Sequence, residues 1–442
     1  MGYIHKLAVN KKGIALIGVY LVVAVLIVFA ITFVNASIGQ NNAANLFKKQ
    51  MQAFNLAESG LDKAVQQLRD GSASNFPGTL SPVGTYAVTI TDLGLYGTMR
   101  RFKIVSVGTS GNISKRLTNI VQTDNYARYI WFTDAEIYRT SNVWFWNQDH
   151  LNGPTQTNGQ LNIGGNDLGP IFDGEVRSAS DQINFYNNRD SFTSSNTTNP
   201  PNDTPSFNGG ITLGANAIRM PRQATYLRSA SANGGLSLTG DTTVVLNSAS
   251  IDITNSGYYN AHCTGRCRSC CTLTNQPFPA NGALFVDNGK LSISGTLSGR
   301  LTAGASGNIT VTDDVVYASD PRTPNSTSTD MLGLISESNV TIADSATTNA
   351  SDGLEIDASI MALNTSFILE NWDSRSADYK GQLTIYGGII QTQRGPVGTF
   401  NQATGDRTGY YKNYSYDPRM LATPPPFFPT TGDYVTLAWQ ED

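Results

Sequence analysis

Four cysteines fall in one short run, HCTGRCRSCC, at Cys263, Cys267, Cys270 and Cys271. In an exported protein such a run reads as two disulfides in one of three connectivities. Three or four thiolates on a metal, with His262, are a second reading, although only Cys267 and Cys270 make a C-x-x-C pair and the second knuckle of a structural zinc site is missing. Free thiols are the third. The acids that could serve polysaccharide chemistry are Asp313, Asp314, Asp320, Glu337, Glu355, Asp357, Glu370 and Asp373. Adjacent acids such as Asp313 and Asp314 point to opposite faces of a strand and make no acid and base pair, whereas Glu355 and Asp357 share a face, as many solvated pairs do. Arg300, Arg322 and Arg394 are scattered along the chain, and the histidines are only His5, His150 and His262, too few and too dispersed for a Ser-His-Asp set. No enzyme activity and no cofactor are expected on these grounds; a few of the acids could hold a structural calcium ion. Trp144 and Trp146 alternate with Val143 and Phe145, so both indoles could share one strand face, as a sugar-binding platform or as packing inside the fold.

The elements that must carry these residues are unevenly distributed. Lys11 and Lys12 precede GIALIGVYLVVAVLIVFAITFV, an uncharged run from Gly13 to Val34 of the length that crosses a bilayer. Apolar residues then recur at helical spacing, at Leu46, Met51, Phe54, Leu56, Ala57, Leu61, Ala64 and Leu68, which predicts one helix from Ile14 to about Arg69 with a bend at Gly39. Alternating segments at Tyr86 to Ile90, Phe102 to Val107 and Leu117 to Ile120 predict a small antiparallel sheet over 71–125 that needs the second half of the helix as its cover.

Lys-Lys-Gly ahead of a long apolar helix resembles the class III leader of type IV pilins and pseudopilins. That resemblance implies a leader over 1–13, cut by a prepilin peptidase between Gly13 and Ile14, and an assembly helix over 14–70. GIALIGVYLVVAV with the downstream AFNLAESGLDKAVQQL is most similar to PilX-type minor pilins, whose helix ends in an A-E-x-G-L stretch, here around Glu58. Gly18 stands where a major pilin carries a glutamate, which points to a specialised subunit. The implied partners are other pilin or pseudopilin subunits, the inner membrane and the peptidase. The implied location is the bacterial inner membrane, single-pass with a cytoplasmic N-terminus, and then the pilus or cell surface.

Ser, Thr and Asn crowd the region after about residue 150, and the chain as a whole has only 14% charged residues and a net charge of −4. No nucleic-acid groove is indicated. Short β-branched segments recur, among them LSLTG, ALFVDNGKLSISG, NITVTDD, LGLIS and QLTIYGGIIQT, at roughly 20 residues per turn, the pattern of stacked rungs. The expected fold is mainly β: the pilin-like helix and sheet, then a right-handed parallel β-helix over 126–410, closed by a Tyr- and Pro-rich clamp over 411–442. A β-sandwich is the alternative, favoured by the hairpin signal Asn288-Gly289. The function this implies is a minor pilin or pseudopilin-like subunit presenting a surface solenoid for adhesion, capping or assembly. The alternative is a membrane-tethered β-helix enzyme acting on polysaccharides.

Overall fold

The computed structural model describes residues 11–96, 98–146, 149–164, 169–186, 191–193, 205–255, 272–346, 353–374, 379–400 and 407–442. The four cysteines, His5 and His262 lie outside the described residues. The chain divides into two compact units, one built from the N-terminal 93 residues with 101–122 and 436–442, the other from 94–100 and 123–435.

In the first unit helix α1 (Lys11–Arg69) is unbroken, and it remains helical through Gly39. Every described residue from Leu16 to Met51 is exposed, so the predicted packing stripe begins later than Leu46. Thr32, inside the apolar run, returns its hydroxyl to the carbonyls of Val28 and Phe29 at 3.0 and 2.9 Å, leaving no polar group of its side chain without a partner. Burial starts at Ala53 and continues through Leu56, Ala57, Leu61, Ala64 and Leu68. These residues recur at i+3 and i+4 and form one stripe against the sheet. That sheet orders β1 (Phe76–Leu80), β2 (Gly84–Tyr96), β3 (Met99–Ser110), β4 (Ile113–Asn125) and the chain's final strand (Thr430–Glu441). The buried sheet residues include Tyr86, Val88, Ile90, Met99, Phe102, Ile104, Leu117 and Val121. Two glycines set the approach of helix to sheet. A Cβ on Gly108 would lie 2.1 Å from the carbonyl oxygen of Ala53, and one on Gly60 would lie 2.2 Å from the Ser106 hydroxyl.

The second unit is a coil of parallel rungs. Each turn presents up to three faces. On the first, the register runs Leu236, Leu284, Ala303, Leu334, Ile360, Ile389, Trp131, Thr155, Val176, Ile211, each paired in parallel with the next. On the third face Val315, Ile356, Ile385, Tyr414, Leu151, Phe172 and Phe207 stack in the same way. Most of these side chains form one continuous interior. Each rung alone is too small to bury them, so the ladder between turns makes the core. Parallel pairing on this scale overturns the β-sandwich, whose sheets are antiparallel. Asn288-Gly289 is likewise no hairpin: Asn288 takes a left-handed φ of 49° at the corner between Ala283–Asp287 and Leu291–Leu297, and these two strands pair with neighbouring turns. Nor is the period fixed near 20 residues. The step from Leu284 to Ala303 is short, that from Val176 to Ile211 is long, and the difference is taken up at the corners.

The order of rungs departs from the order of the chain. The chain enters in the middle at Trp131–Ala135 and winds outward through Thr155–Thr157 and Val176–Ser178 to Ile211–Leu213. It then crosses to the far end and resumes at Leu236–Thr239. From there it winds back until Tyr379–Gln393 docks beside its own entry strand. The crossing segment lies along the outer side of the first face. Asn158 holds Ile218 through both amide atoms at 2.8 and 2.9 Å, Asn364 donates to the carbonyl of Arg222 at 3.0 Å, and Glu337 accepts from the backbone of Ala224 at 2.9 Å. Helix α2 (Thr225–Ala232) completes it, with Leu227 buried and Arg228 bridging Asp287 and Glu337. Met220, Ala224 and Leu227 cover Phe285, Ile335 and Met361, a second core outside the coil. This explains why Met331–Ser336 and Ser359–Ala362 are buried on both faces.

The segment read as a clamp over 411–442 divides into three. Tyr410 to Tyr416 is the last rung, residues 417–429 lie on the coil with Met420 and Phe428 in the outer core, and the final strand joins the small sheet. The polar stretch from Asn187 to Asn208, whose Asn, Ser, Thr and Pro content reads as a surface loop, contributes short strands at Ser191–Thr193 and Ser206–Phe207.

Candidate functional site

Where the last turn of the coil meets the first, two buried ion pairs join them. Arg394 on the last turn places Nη1 3.0 Å from Glu136 Oε2, with both side chains essentially inaccessible. Its guanidinium stacks over Phe145 at 3.5 Å from the ring centroid, and Nη2 donates to the Trp144 carbonyl at 2.9 Å. Glu136 also accepts from Trp131 Nε1 at 3.3 Å and from the Thr133 hydroxyl. Lys412 reaches Asp149 at 2.5 Å, and Asp149 caps the backbone N–H of Trp146 at 3.0 Å. Burial pushes the Lys412 ammonium below its ordinary range, against the pull of Asp149. Charges this deep persist because each is both paired and hydrogen-bonded.

Above this junction opens a cleft of about 590 Å³. Its aromatic lining comes from remote parts of the chain: Tyr138, Trp144 and Trp146 from the first turn, Tyr186, Trp372, and Phe400 from the last turn. Trp146 stacks on Phe400 with centroids 3.7 Å apart, while Trp144 meets Tyr186 edge-on at 5.0 Å and Tyr138 meets Trp372 edge-on at 5.9 Å. A two-stranded hairpin, Ile137–Tyr138 with Ser141–Asn142, raises one wall, and Arg139 at its tip lies over the Tyr138 ring. The charged groups at the cleft are Arg139, Arg407 and Lys412 against Asp149 and Asp373, so the lining is close to neutral.

The residues singled out by sequence are distributed differently. Trp144 and Trp146 both reach the cleft, but Trp146 is buried and gives one face to Phe400, so it serves as both packing and lining. Arg322, which sequence left isolated, collects Asp320 at 2.8 Å, Glu355 at 2.6 Å and Asp357 at 3.7 Å. Asp357 is buried, with Oδ2 accepting from the Tyr317 N–H and Oδ1 without a hydrogen-bond partner, and desolvation raises its pKa to about 7. Asp313 is exposed, and Asp314 accepts from the backbone of Glu355. Glu337 secures the crossing segment, and His150 pairs with Asp173 at 2.6 Å on the surface. Among the described residues no three His, Cys, Asp or Glu side chains converge to hold a metal. Gly18 and Glu58 are exposed on α1, and Gly13 and Ile14 lie within it. Sequence reasoning missed the Glu136–Arg394 and Asp149–Lys412 pairs; their partners are more than two hundred residues apart in the chain, and no local pattern marks them.

No protein-family model and no curated protein matches the chain. Among solved structures it is similar to the competence-associated pilin ComZ from Thermus thermophilus, at 14% identity over 89% of this chain and 97% of that one, with a TM-score of 0.36. A likeness at that level decides neither family nor function.

Proposed function

We propose that the chain is a minor pilin or pseudopilin-like subunit, anchored in the inner membrane before assembly and displaying the coil outside the cell. The observation that carries this is helix α1. Its apolar first half is exposed from Leu16 to Val34, while its C-terminal stretch, from Ala53 to Leu68, buries one stripe on a small antiparallel sheet. A helix so divided suits two environments in turn, a bilayer and then a bundle of like helices, with no change of its own fold. Other subunits are its partners through α1, and a prepilin peptidase acts between Gly13 and Ile14. Gly18, in the place where the pilin resemblance expects a glutamate, suits a subunit outside the bulk of the filament.

The coil serves display and binding rather than catalysis. The acids best placed for glycan chemistry, Glu355 and Asp357, are both engaged by Arg322, and Asp357 is closed off from substrate. The test is processing. Gly13→Val is expected to leave the leader attached, visible as a slower band on a gel, and to keep the subunit out of filaments, whereas the parent chain begins at Ile14. A variant processed like the parent would remove this reading.

A further inference from the structure

We propose that the cleft at the junction of the first and last turns binds an oligosaccharide. Three features of the site point to this chemistry. The first is its shape: an open cleft of about 590 Å³ falls within the range of small-ligand sites, roughly 300–1,000 Å³. The second is its lining. Tyr186 is 40% exposed, and Trp144 and Trp372 are half-buried on frames built by packing. Trp144 is held from below, its carbonyl taken by Arg394 and its ring set perpendicular to Tyr186. Trp372 is set edge-on to Tyr138. Rings fixed in place with part of their surface in solvent offer apolar faces at little ordering cost. A pyranose has the matching form, with C–H groups on its face and hydroxyls around its edge.

The third feature is the polar complement. Arg139, Asn142, Asp373, Thr399 and Thr408 supply donors and acceptors at the rim, which a ring of hydroxyls can satisfy in both senses. Charge argues against the other ligands that stack on aromatics. A strand of nucleic acid needs a track of unpaired cations along its phosphates. Here Lys412 is neutralised by Asp149 and Asp373 stands at the rim, and Arg139 and Arg407 are the other cations among the lining residues, too few to follow a phosphate backbone. A wholly apolar peptide would leave Arg139 and Asp373 unanswered.

The site exists only in the closed coil. Tyr138 and Trp144 belong to the first turn and Phe400 and Arg407 to the last, so a ligand across the cleft touches both sides of the junction and raises the stability of the whole unit. The inference rests on the surface-subunit reading for where the glycan comes from. Its test does not use assembly or processing, so the two fail separately.

The experiment takes the full chain in detergent micelles and measures thermal midpoint and tryptophan fluorescence against cellohexaose, chitohexaose, maltohexaose and a printed array of bacterial and host glycans, with oligodeoxythymidylate in a parallel arm. At least one glycan is expected to raise the midpoint and change the fluorescence. Trp144→Ala is expected to weaken that binding about ten-fold or more, the usual scale for removing a central aromatic anchor. Trp144→Tyr, which keeps a ring, should recover most of it with an unchanged circular dichroism spectrum. The proposal is overturned if no glycan binds, if Trp144→Ala and Tyr186→Ala both bind like the parent, or if only the oligonucleotide binds.

Discussion

At the scale of single residues, Asp357 shows what burial does to a carboxylate whose counter-ion stands slightly too far away. Arg322 at 3.7 Å is closer to Glu355 and Asp320, and desolvation lifts Asp357 from 3.8 to about 7. Between about pH 4 and pH 7 the folded chain therefore keeps a proton that the unfolded chain has released. Stability contributed by this group is complete below that window and lost as pH rises through it. Asp357→Asn keeps an acceptor for the Tyr317 N–H and carries no charge. Relative to the parent, the variant is expected to gain thermal midpoint at pH 8 over pH 4.5; an equal difference at the two pH values would contradict the assignment. Arg322 also shows why side-chain clusters stay hidden in a sequence. Its neighbours Glu355 and Asp357 arrive from the next turn of the coil, and only the register brings them together.

Among elements, α1 was the most legible. Length, charge and spacing between Gly13 and Leu68 all report a helix, because a continuous apolar run followed by a 3.6-residue period has few other solutions. Where burial begins could not be read, since Leu46 and Met51 continue the apolar spacing while standing in solvent. The short strands were legible as strands, but Asn288-Gly289 shows the limit: a left-handed corner looks the same whether the chain turns back on itself or turns on to the next face. Gly60 in the helix and Gly108 in β3 are both contact points. Gly108→Ala sets a methyl against the Ala53 carbonyl, a backbone atom that cannot step aside. It is expected to cost about 1–3 kcal/mol, read as a lower midpoint for the helix and sheet unit. An unchanged midpoint would mean that α1 shifts freely on its sheet.

For the whole molecule the controlling fact is that the coil's chain order and spatial order differ. Stacked rungs ordinarily gain stability from neighbours close in sequence. Here the junction pairs Trp131 with Ile389, and its buried Glu136–Arg394 pair spans 258 residues. Such contacts form only after a long loop is closed, which slows folding and makes the coil depend on one late event. Arg394→Met leaves Glu136 charged and buried, and is expected to cost about 3–5 kcal/mol in denaturant unfolding. Adding Glu136→Gln should return a good part of that loss; a double variant no better than the single one would show that packing, and not charge, holds the junction. The rung order itself could not be foreseen, because each rung phrase reports a strand and none reports its neighbour. The final strand has a different consequence. Asn119 on β4 donates to Thr436 at 3.2 Å and Lys115 meets Glu441 at 2.6 Å, so the two strands that bracket the coil in the chain are already side by side. Topologically the coil is a single excursion between two adjacent strands of the small sheet, so replacing it with a short linker would leave the helix and all five strands of that sheet in the chain.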